Sequence, residues 1–89
     1  MGLIVQKFGG TSVKDRDRIF NVARIVANTR NQGNDVVVVV SAQGDTTDDL
    51  ITKAAEITSD PSHREMDMLL ATGEQISISL LAMALGETG

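Results

Sequence analysis

Apolar residues gather in short runs and helical stripes that predict a strand, a helix and a second strand, in that order. The first strand, about Leu3 to Lys7, is apolar and ends at two glycines. A helix follows from about Lys14 to Asn31, because four apolar residues recur there at helical spacing: Ile19, Val22, Ala23 and Val26. Gly33 is expected to stop this helix. The second strand, Val36 to Val40, is an unbroken run of valines. Since no polar residue alternates with them, we expect both faces of this strand to be buried.

Two more helices are predicted after the second strand. The first of them has Thr46 or Thr47 as its natural N-cap. The other runs from about His63 to Leu85, and the Ser62-x-x-Glu65 spacing before it is that of a capping box. One face of this last helix is expected to be buried, and it comprises Met66, Leu69, Leu70, Gly73, Ser77, Leu80, Leu81 and Ala84.

The last helix has two unusual features. From Ile76 to Leu85 it is apolar nearly all round, which requires burial on several sides. Gly73 in its middle costs about 1 kcal/mol relative to alanine. Either close packing or an approaching ligand must therefore need the space at this position.

The order of elements predicts an α/β fold, a βαβαα unit with two parallel strands and three helices. A strand–helix–strand connection in one sheet is right-handed and makes the strands parallel. Both strands then end at the same edge of the sheet, where open α/β sheets bind their ligands. The turn after Lys7 and the turn that starts at Ser41 are thus expected to be neighbours.

Composition limits the possible functions. The 89 residues suffice for one domain at most, and 42% of them are hydrophobic, enough for an aliphatic core. The net charge of −4 argues against a general nucleic-acid binder, and the absence of cysteine excludes thiolate chemistry. We see no signal peptide, and the apolar stretch from Ile76 to Leu85 is about half of what a membrane span needs. We expect a soluble, cytoplasmic protein.

The residues after the first strand suit phosphate binding. Gly9 and Gly10 can adopt backbone angles closed to other residues and let a ligand approach the main chain. Lys7 adds a mobile positive charge, and Thr11 and Ser12 add hydroxyl groups. Neither the P-loop nor the dinucleotide-binding pattern occurs. The local signal is weak, because a glycine pair after a strand is more often only a turn.

Other polar residues have a plainer interpretation. Thr47 is left open between a helix cap and a ligand contact at a helix N-terminus. Glu74, judged from its surroundings alone, is an exposed helix glutamate. Seven further polar residues are interpreted as solvated or as having no role in a site, namely Arg16, Arg18, Arg24, Asp45, Asp48, Asp49 and His63.

Three stretches carry a resemblance to a known family. They are Lys7-Phe8-Gly9-Gly10-Thr11-Ser12-Val13, the stretch from Val39 to Leu50, and the stretch from Arg64 to Ser77. In this order they resemble aspartate kinases, of the amino acid kinase superfamily. Residues 1–85 are similar to the N-terminal part of that catalytic domain, a portion of its three-layer α/β/α sandwich. Residues 86–89 are expected to be a C-terminal tail, either a helix cap or an artificial extension.

The resemblance implies a reaction and a set of site residues. The family transfers the γ-phosphoryl group of ATP, with Mg²⁺, to the side-chain carboxylate of L-aspartate, the first step towards lysine, threonine and methionine. Lys7 matches the catalytic lysine, and the phosphate-binding set would be Lys7, Gly9, Gly10, Ser12 and Ser41. The aspartate-binding set would be Ser41, Thr47 and Glu74. No side chain of this stretch is expected to bind metal directly.

Two alternatives stay open. A different member of the superfamily would phosphorylate glutamate, acetylglutamate, carbamate or a nucleoside monophosphate; the Thr11-Ser12 pair and the Gly73-Glu74 pair argue against it. The 89-residue chain could instead be a folding unit without turnover. Two strands make a small sheet, and the apolar third helix would then favour a homo-oligomer.

Overall fold

The strands and helices occur in the predicted order. The computed structural model describes residues 2–88, with only the backbone of Thr88. The elements are β1 (Leu3–Phe8), a single 3₁₀ turn (Gly10–Val13), α1 (Arg16–Asn31), β2 (Asp35–Val40), α2 (Thr46–Ile57) and α3 (His63–Thr88). The α/β class, with two parallel strands and three helices, is therefore confirmed. Helix α3 continues past Leu85, the residue at which it was predicted to end.

The two strands pair in parallel along their whole length. Leu3 lies opposite Asp35 at one end, and Phe8 lies opposite Val40 at the other. The Ser41 N–H donates to the Phe8 carbonyl oxygen at 3.0 Å and extends the ladder by one bond. Parallel strands need a crossover connection, which α1 provides here.

Helix α1 has a side-chain cap at its start and a glycine just after its end. Asp15 is its N-cap, and the Asp15 carboxylate accepts a hydrogen bond of 2.9 Å from the Arg18 backbone N–H. After its last turn, Gly33 adopts a φ of 92°, in the left-handed region that favours glycine. The Gly33 N–H donates to the Arg30 carbonyl oxygen at 2.9 Å. The helix stop predicted at Gly33 is confirmed.

The core lies between the sheet and the two longer helices. Its buried residues come from the 3₁₀ turn, α1, β2 and α3: Val13, Ile19, Val22, Ala23, Val26, Val40, Leu81 and Ala84. This set contains all four positions of the predicted α1 stripe. The predicted face of α3 is also confirmed, because Gly73, Ser77, Leu81 and Ala84 are buried and its other four members are half-buried.

The expectation for the valine strand was wrong. Val36, Val38 and Val40 face the helices, but Val37 and Val39 are 47% and 45% exposed. In β1, Leu3 and Val5 are exposed on the same alternation. Helices α1 and α3 pack over one face of β2, and within residues 2–88 no element covers the other face. We call this uncovered side, made of Leu3, Val5, Lys7, Val37 and Val39, the open face.

Helix α2 starts without a side-chain cap, whereas helix α3 starts with one. The prediction of a threonine cap for α2 was wrong: the N-cap is Asp45, and its side chain makes no capping bond. The turn is closed by the backbone instead, because the Thr46 N–H donates to the Gln43 carbonyl oxygen at 2.9 Å. Ser62 caps α3 as predicted, because its hydroxyl accepts a hydrogen bond from the Glu65 N–H. The same hydroxyl donates to the Glu65 carboxylate, whereas in a capping box that carboxylate accepts from the N-cap backbone N–H.

Helix α3 makes the molecule elongated. The Cα radius of gyration is 15.4 Å, against about 12 Å for a compact domain of this length. By length and composition alone, His63–Glu87 is long and apolar enough to cross a membrane, more than the short apolar stretch suggested. Core helices of soluble proteins pass the same test. One side of α3 packs on α1 and α2, while Ile76, Ile78 and Met83 on its other sides are exposed. The expectation that this apolar stretch is buried on several sides was therefore wrong for residues 2–88, because no described element packs against those sides.

Candidate active site

The turns that follow the two strands lie side by side. Lys7 is opposite Val39 in the sheet, and the Ser41 N–H bonds the Phe8 carbonyl oxygen. Lys7 and Ser41 are therefore at the same end of the sheet, as the predicted topology requires. Lys7 is exposed and belongs to the open face, opposite the helices. An exposed ammonium group at this edge is accessible to a ligand from solvent.

The lack of a side chain, and not unusual backbone angles, is what matters at Gly9 and Gly10. Within residues 2–88 only Gly33 has a positive φ, and Gly9 is ordinary extended backbone with φ −75° and ψ 173°. The expectation of special angles at Gly9 and Gly10 was wrong. A Cβ atom on Gly10 would lie 2.7 Å from the Ala42 carbonyl oxygen, whereas one on Gly9 would meet nothing within 4 Å. Gly10 is thus required by close contact, and Gly9 faces open space.

One donor of the turn is already used. The Ser12 N–H donates to the Gly9 carbonyl oxygen at 3.0 Å, closing the 3₁₀ turn. The group of Ser12 that can serve a ligand is therefore its hydroxyl. The side chains of Thr11 and Ser12 border a pocket of about 250 Å³, together with Phe8 and Arg18.

The loop after β2, residues 41–45, is fastened to the 3₁₀ turn by side chains as well. The Gln43 side-chain amide donates to the Val13 carbonyl oxygen at 3.0 Å. The aliphatic part of Lys14 lies against Gly44, whose added Cβ would be 3.6 Å from Lys14 Cγ. These contacts hold the two turns in a fixed relation. Gln43 and Lys14 were missed by the sequence reasoning, and only their position in the two turns could have indicated them.

Helix α3 reaches the same region through Gly73. A Cβ atom there would lie 3.0 Å from the Ala42 methyl carbon and 3.2 Å from Thr46 Cγ2. Close packing, one of the two explanations left open for this glycine, is therefore present. Glu74 comes next in the chain and is exposed, and Thr47 follows Thr46 and is half-buried. The three sequence stretches thus meet around Ala42.

Two arginines of α1 pair with neighbouring aspartates, although Arg18 also borders the pocket beside Thr11 and Ser12. Arg18 pairs with Asp15 at 3.6 Å and Arg16 with Asp17 at 3.9 Å, and all four side chains are at least 48% exposed. Their interpretation as solvated residues is confirmed. Asp48 and Asp49 lie in the first turn of α2 and are exposed. Among residues 2–88 no three His, Asp or Glu side chains are grouped to hold a metal ion.

Comparison with known proteins identifies the family. The amino acid kinase family model matches residues 2–89. The chain belongs to the amino acid kinase family. A crystal structure of aspartate kinase from Synechocystis covers 97% of the chain with a TM-score of 0.93 and 57% sequence identity. The resemblance read from the three stretches is therefore confirmed.

Curated members of the amino acid kinase family give the same result. The chain is 65% identical over 89 residues to the aspartokinase of Bacillus sp. (strain MGA3) and 60% identical to aspartokinase 2 of Bacillus subtilis (strain 168). All of the chain is matched in both cases, but it spans only 22% of either relative. It spans 15% of the Synechocystis chain.

Proposed function

We propose that this chain supplies part of the active site of an aspartate kinase, which transfers the γ-phosphoryl group of ATP to the side-chain carboxylate of L-aspartate. The product is 4-phospho-L-aspartate, the first intermediate towards lysine, threonine and methionine. One observation carries the proposal. Lys7, the Gly9-Gly10 turn, Ser41 and the Gly73-Glu74 helix turn gather at one edge of the sheet, in a chain 65% identical to an aspartokinase over its full length.

The phosphate side of the reaction would be served by the turn after β1. Phosphoryl transfer depends on positioning and on neutralising charge more than on covalent chemistry. Lys7 would be the catalytic residue, its ammonium group stabilising the charge on the transferred phosphoryl group. Gly9 would let the phosphates approach the main chain, since an added side chain there would project into empty space. Gly10 and the hydroxyls of Ser12 and Ser41 would complete the phosphate-binding set.

The acceptor side would be served by β2, α2 and α3. Ser41 and Thr47 would contact L-aspartate with their hydroxyl groups, and the Glu74 carboxylate would bind its amino group. Gly73 packs against Ala42 and Thr46, so Glu74 is held near the loop that carries Ser41 and the first turn of α2, which carries Thr47. Mg²⁺ would supply further charge neutralisation between the phosphate oxygens.

A chimera tests this proposal directly. In it, the chain replaces the matching segment of the Bacillus sp. (strain MGA3) aspartokinase. With ATP, Mg²⁺, L-aspartate and hydroxylamine we expect aspartyl hydroxamate, and ADP release that depends on aspartate. When glutamate, N-acetylglutamate, carbamate or a nucleoside monophosphate replaces aspartate, ADP release should be no faster than without any added acceptor. A folded chimera that prefers one of these acceptors would contradict the aspartate assignment. The 89-residue chain alone is expected to give no turnover.

A homo-oligomer formed through α3 is a second proposal, favoured by the exposed Ile76, Ile78 and Met83. Large exposed apolar patches commonly mark an interface. Light scattering after size-exclusion chromatography should show the 89-residue chain as an oligomer. Changing the three residues to glutamine should yield a monomer, whereas the same change at Val37 and Val39 on the open face should not. A monomeric starting chain would refute the proposal.

The cellular setting follows from the same function. ATP and amino-acid precursors are cytoplasmic metabolites, so we propose a cytoplasmic protein that binds neither nucleic acid nor membrane. In the proposed enzyme the apolar sides of α3 would be covered by protein. Fractionation of cells that express the chimera should place it in the soluble fraction; recovery with the membranes would contradict this proposal.

A further inference from the structure

Ala42 lies against two glycines, Gly10 and Gly73, and faces each with a different atom. Its carbonyl oxygen is 2.7 Å from the position that a Cβ on Gly10 would take, and its methyl carbon is 3.0 Å from the position that a Cβ on Gly73 would take. Gly10 belongs to the phosphate turn, and Gly73 belongs to α3. A single residue therefore separates the two proposed halves of the site.

We propose that Ala42 is a positioning residue for phosphoryl transfer, which sets the spacing between the phosphate turn and the helix that carries Glu74. The inference rests on the proposed function, because it assigns the two spacings to two substrates. The carbonyl of Ala42 fixes the depth of the turn that binds ATP. Its methyl group fixes the approach of α3, and with it the position of the Glu74 carboxylate near L-aspartate.

The phosphate side tolerates no enlargement at Gly10. Real Cβ atoms essentially never come within 3.0 Å of a heavy atom outside their own residue and its chain neighbours, and here the opposing atom belongs to the backbone. No rotamer change can relieve this contact. The Gly44 backbone nitrogen lies 3.4 Å from the same Cβ position. An alanine at position 10 must therefore push the turn and the loop apart.

The contact at Gly73, on the acceptor side, is also tight, but a change of side chain can relieve it. At Gly73 the opposing atoms are side-chain carbons, from Ala42 at 3.0 Å and Thr46 at 3.2 Å. An alanine at position 73 would move α3 away by a few tenths of an ångström, and Glu74 with it. Removing the Ala42 methyl group opens the space that this alanine needs. Removing it does nothing for Gly10, because the carbonyl oxygen remains.

The test is a set of single and double variants in the chimera. Gly73→Ala should raise KM for aspartate on the order of tenfold, because a misplacement of about 1 Å costs about a hundredfold in catalytic efficiency and the shift here is smaller. It should change KM for ATP less than about threefold. Ala42→Gly combined with Gly73→Ala should recover most of this loss, and adding Thr46→Ser should recover more. Gly10→Ala should lower kcat and raise KM for ATP, and Ala42→Gly should not rescue it. Gly86→Ala is the matched control on α3, because its Cβ would meet nothing within 4 Å.

Two results would overturn the proposal. One is a double variant at positions 42 and 73 that is no better than Gly73→Ala alone; the other is an equal rescue of Gly10→Ala by Ala42→Gly. Failure of the proposed function is seen separately, as an unaltered chimera that folds without phosphorylating aspartate. The contact itself is then measured by a double-mutant cycle: urea unfolding of the unaltered chain, Ala42→Gly, Gly73→Ala and the double variant. We expect the double variant to be more stable than the sum of the two single changes in the free energy of unfolding predicts. If Gly73→Ala prevents folding, the double variant must fold, and its failure to fold also counts against the proposal.

Discussion

The hydroxyl group of Ser77 offers a prediction whose size can be worked out from the structure. Ser77 is fully buried on α3, and its Oγ has no hydrogen-bond partner among the described residues. A buried hydroxyl without a partner costs about 1–3 kcal/mol. Replacing it with alanine removes that cost and adds about 0.5 kcal/mol of helix propensity. Ser77→Ala is therefore expected to stabilise the fold by about 2 kcal/mol.

Ser79 on the same helix supplies the matched control, because it is exposed. Ser79→Ala should gain only the helix propensity, about 0.5 kcal/mol. Urea unfolding of the 89-residue chain, followed by circular dichroism, should separate the two variants. For a slope of about 1.5 kcal/mol per molar urea, a difference of about 1.5 kcal/mol shifts the midpoint by about 1 M. Ser77→Val should instead destabilise the chain, because the site is closely packed.

A Ser77→Ala variant that is no more stable than Ser79→Ala would refute this reasoning. It would show that the Ser77 hydroxyl is hydrogen-bonded in solution, for example to a buried water molecule. Activity of the same variant in the chimera is expected to be unchanged. A folded but slow enzyme would mean that the hydroxyl takes part in positioning the turn of Gly73 and Glu74.

Three further predictions concern packing and helix ends, and urea unfolding measures each of them. Val22 is 1% exposed, so Val22→Ala should cost about 2–3 kcal/mol, while Val37→Ala on the open face should cost less than half of that; equal costs would contradict the one-sided core. Gly33→Ala should destabilise by about 1 kcal/mol because of the positive φ at Gly33, and a stabilising effect would argue against this conformation. Asp15→Ala should lose about 1 kcal/mol with the α1 cap, while Asp15→Asn should lose little; equal losses would mean that charge, and not the capping bond, is the cause.

Local patterns predicted the parts of the fold that depend on neighbouring residues. The α1 stripe, the Gly33 stop and the Ser62 cap each follow from spacing within one helix, and all are confirmed. The valine strand was different, because burial of its second face needs another element packed against it, and residues 2–88 provide none. Val37 and Val39 therefore remain exposed.

The edge of the sheet was predictable and its atomic contacts were not. Parallel pairing places Lys7 and Ser41 at one end, and topology alone is enough for that conclusion. The reasons for Gly10 and Gly73 depend on which atoms of Ala42 face each glycine. Sequence spacing carries no information on such distances across the fold. For the same reason the role of Ala42 was missed, although it lies between Gly10 and Gly73, which were both singled out.

The most direct test of the central claim measures Lys7 in the chimera. Lys7 is exposed, so Lys7→Met should leave the unfolding curve unchanged, and Lys53→Met removes the same charge from an exposed position on α2. Removing a charge that stabilises the transferred phosphoryl group should lower aspartate-dependent ADP release on the order of a hundredfold or more, while Lys53→Met should keep near-normal turnover. Near-normal turnover by Lys7→Met would contradict an active site at this edge of the sheet.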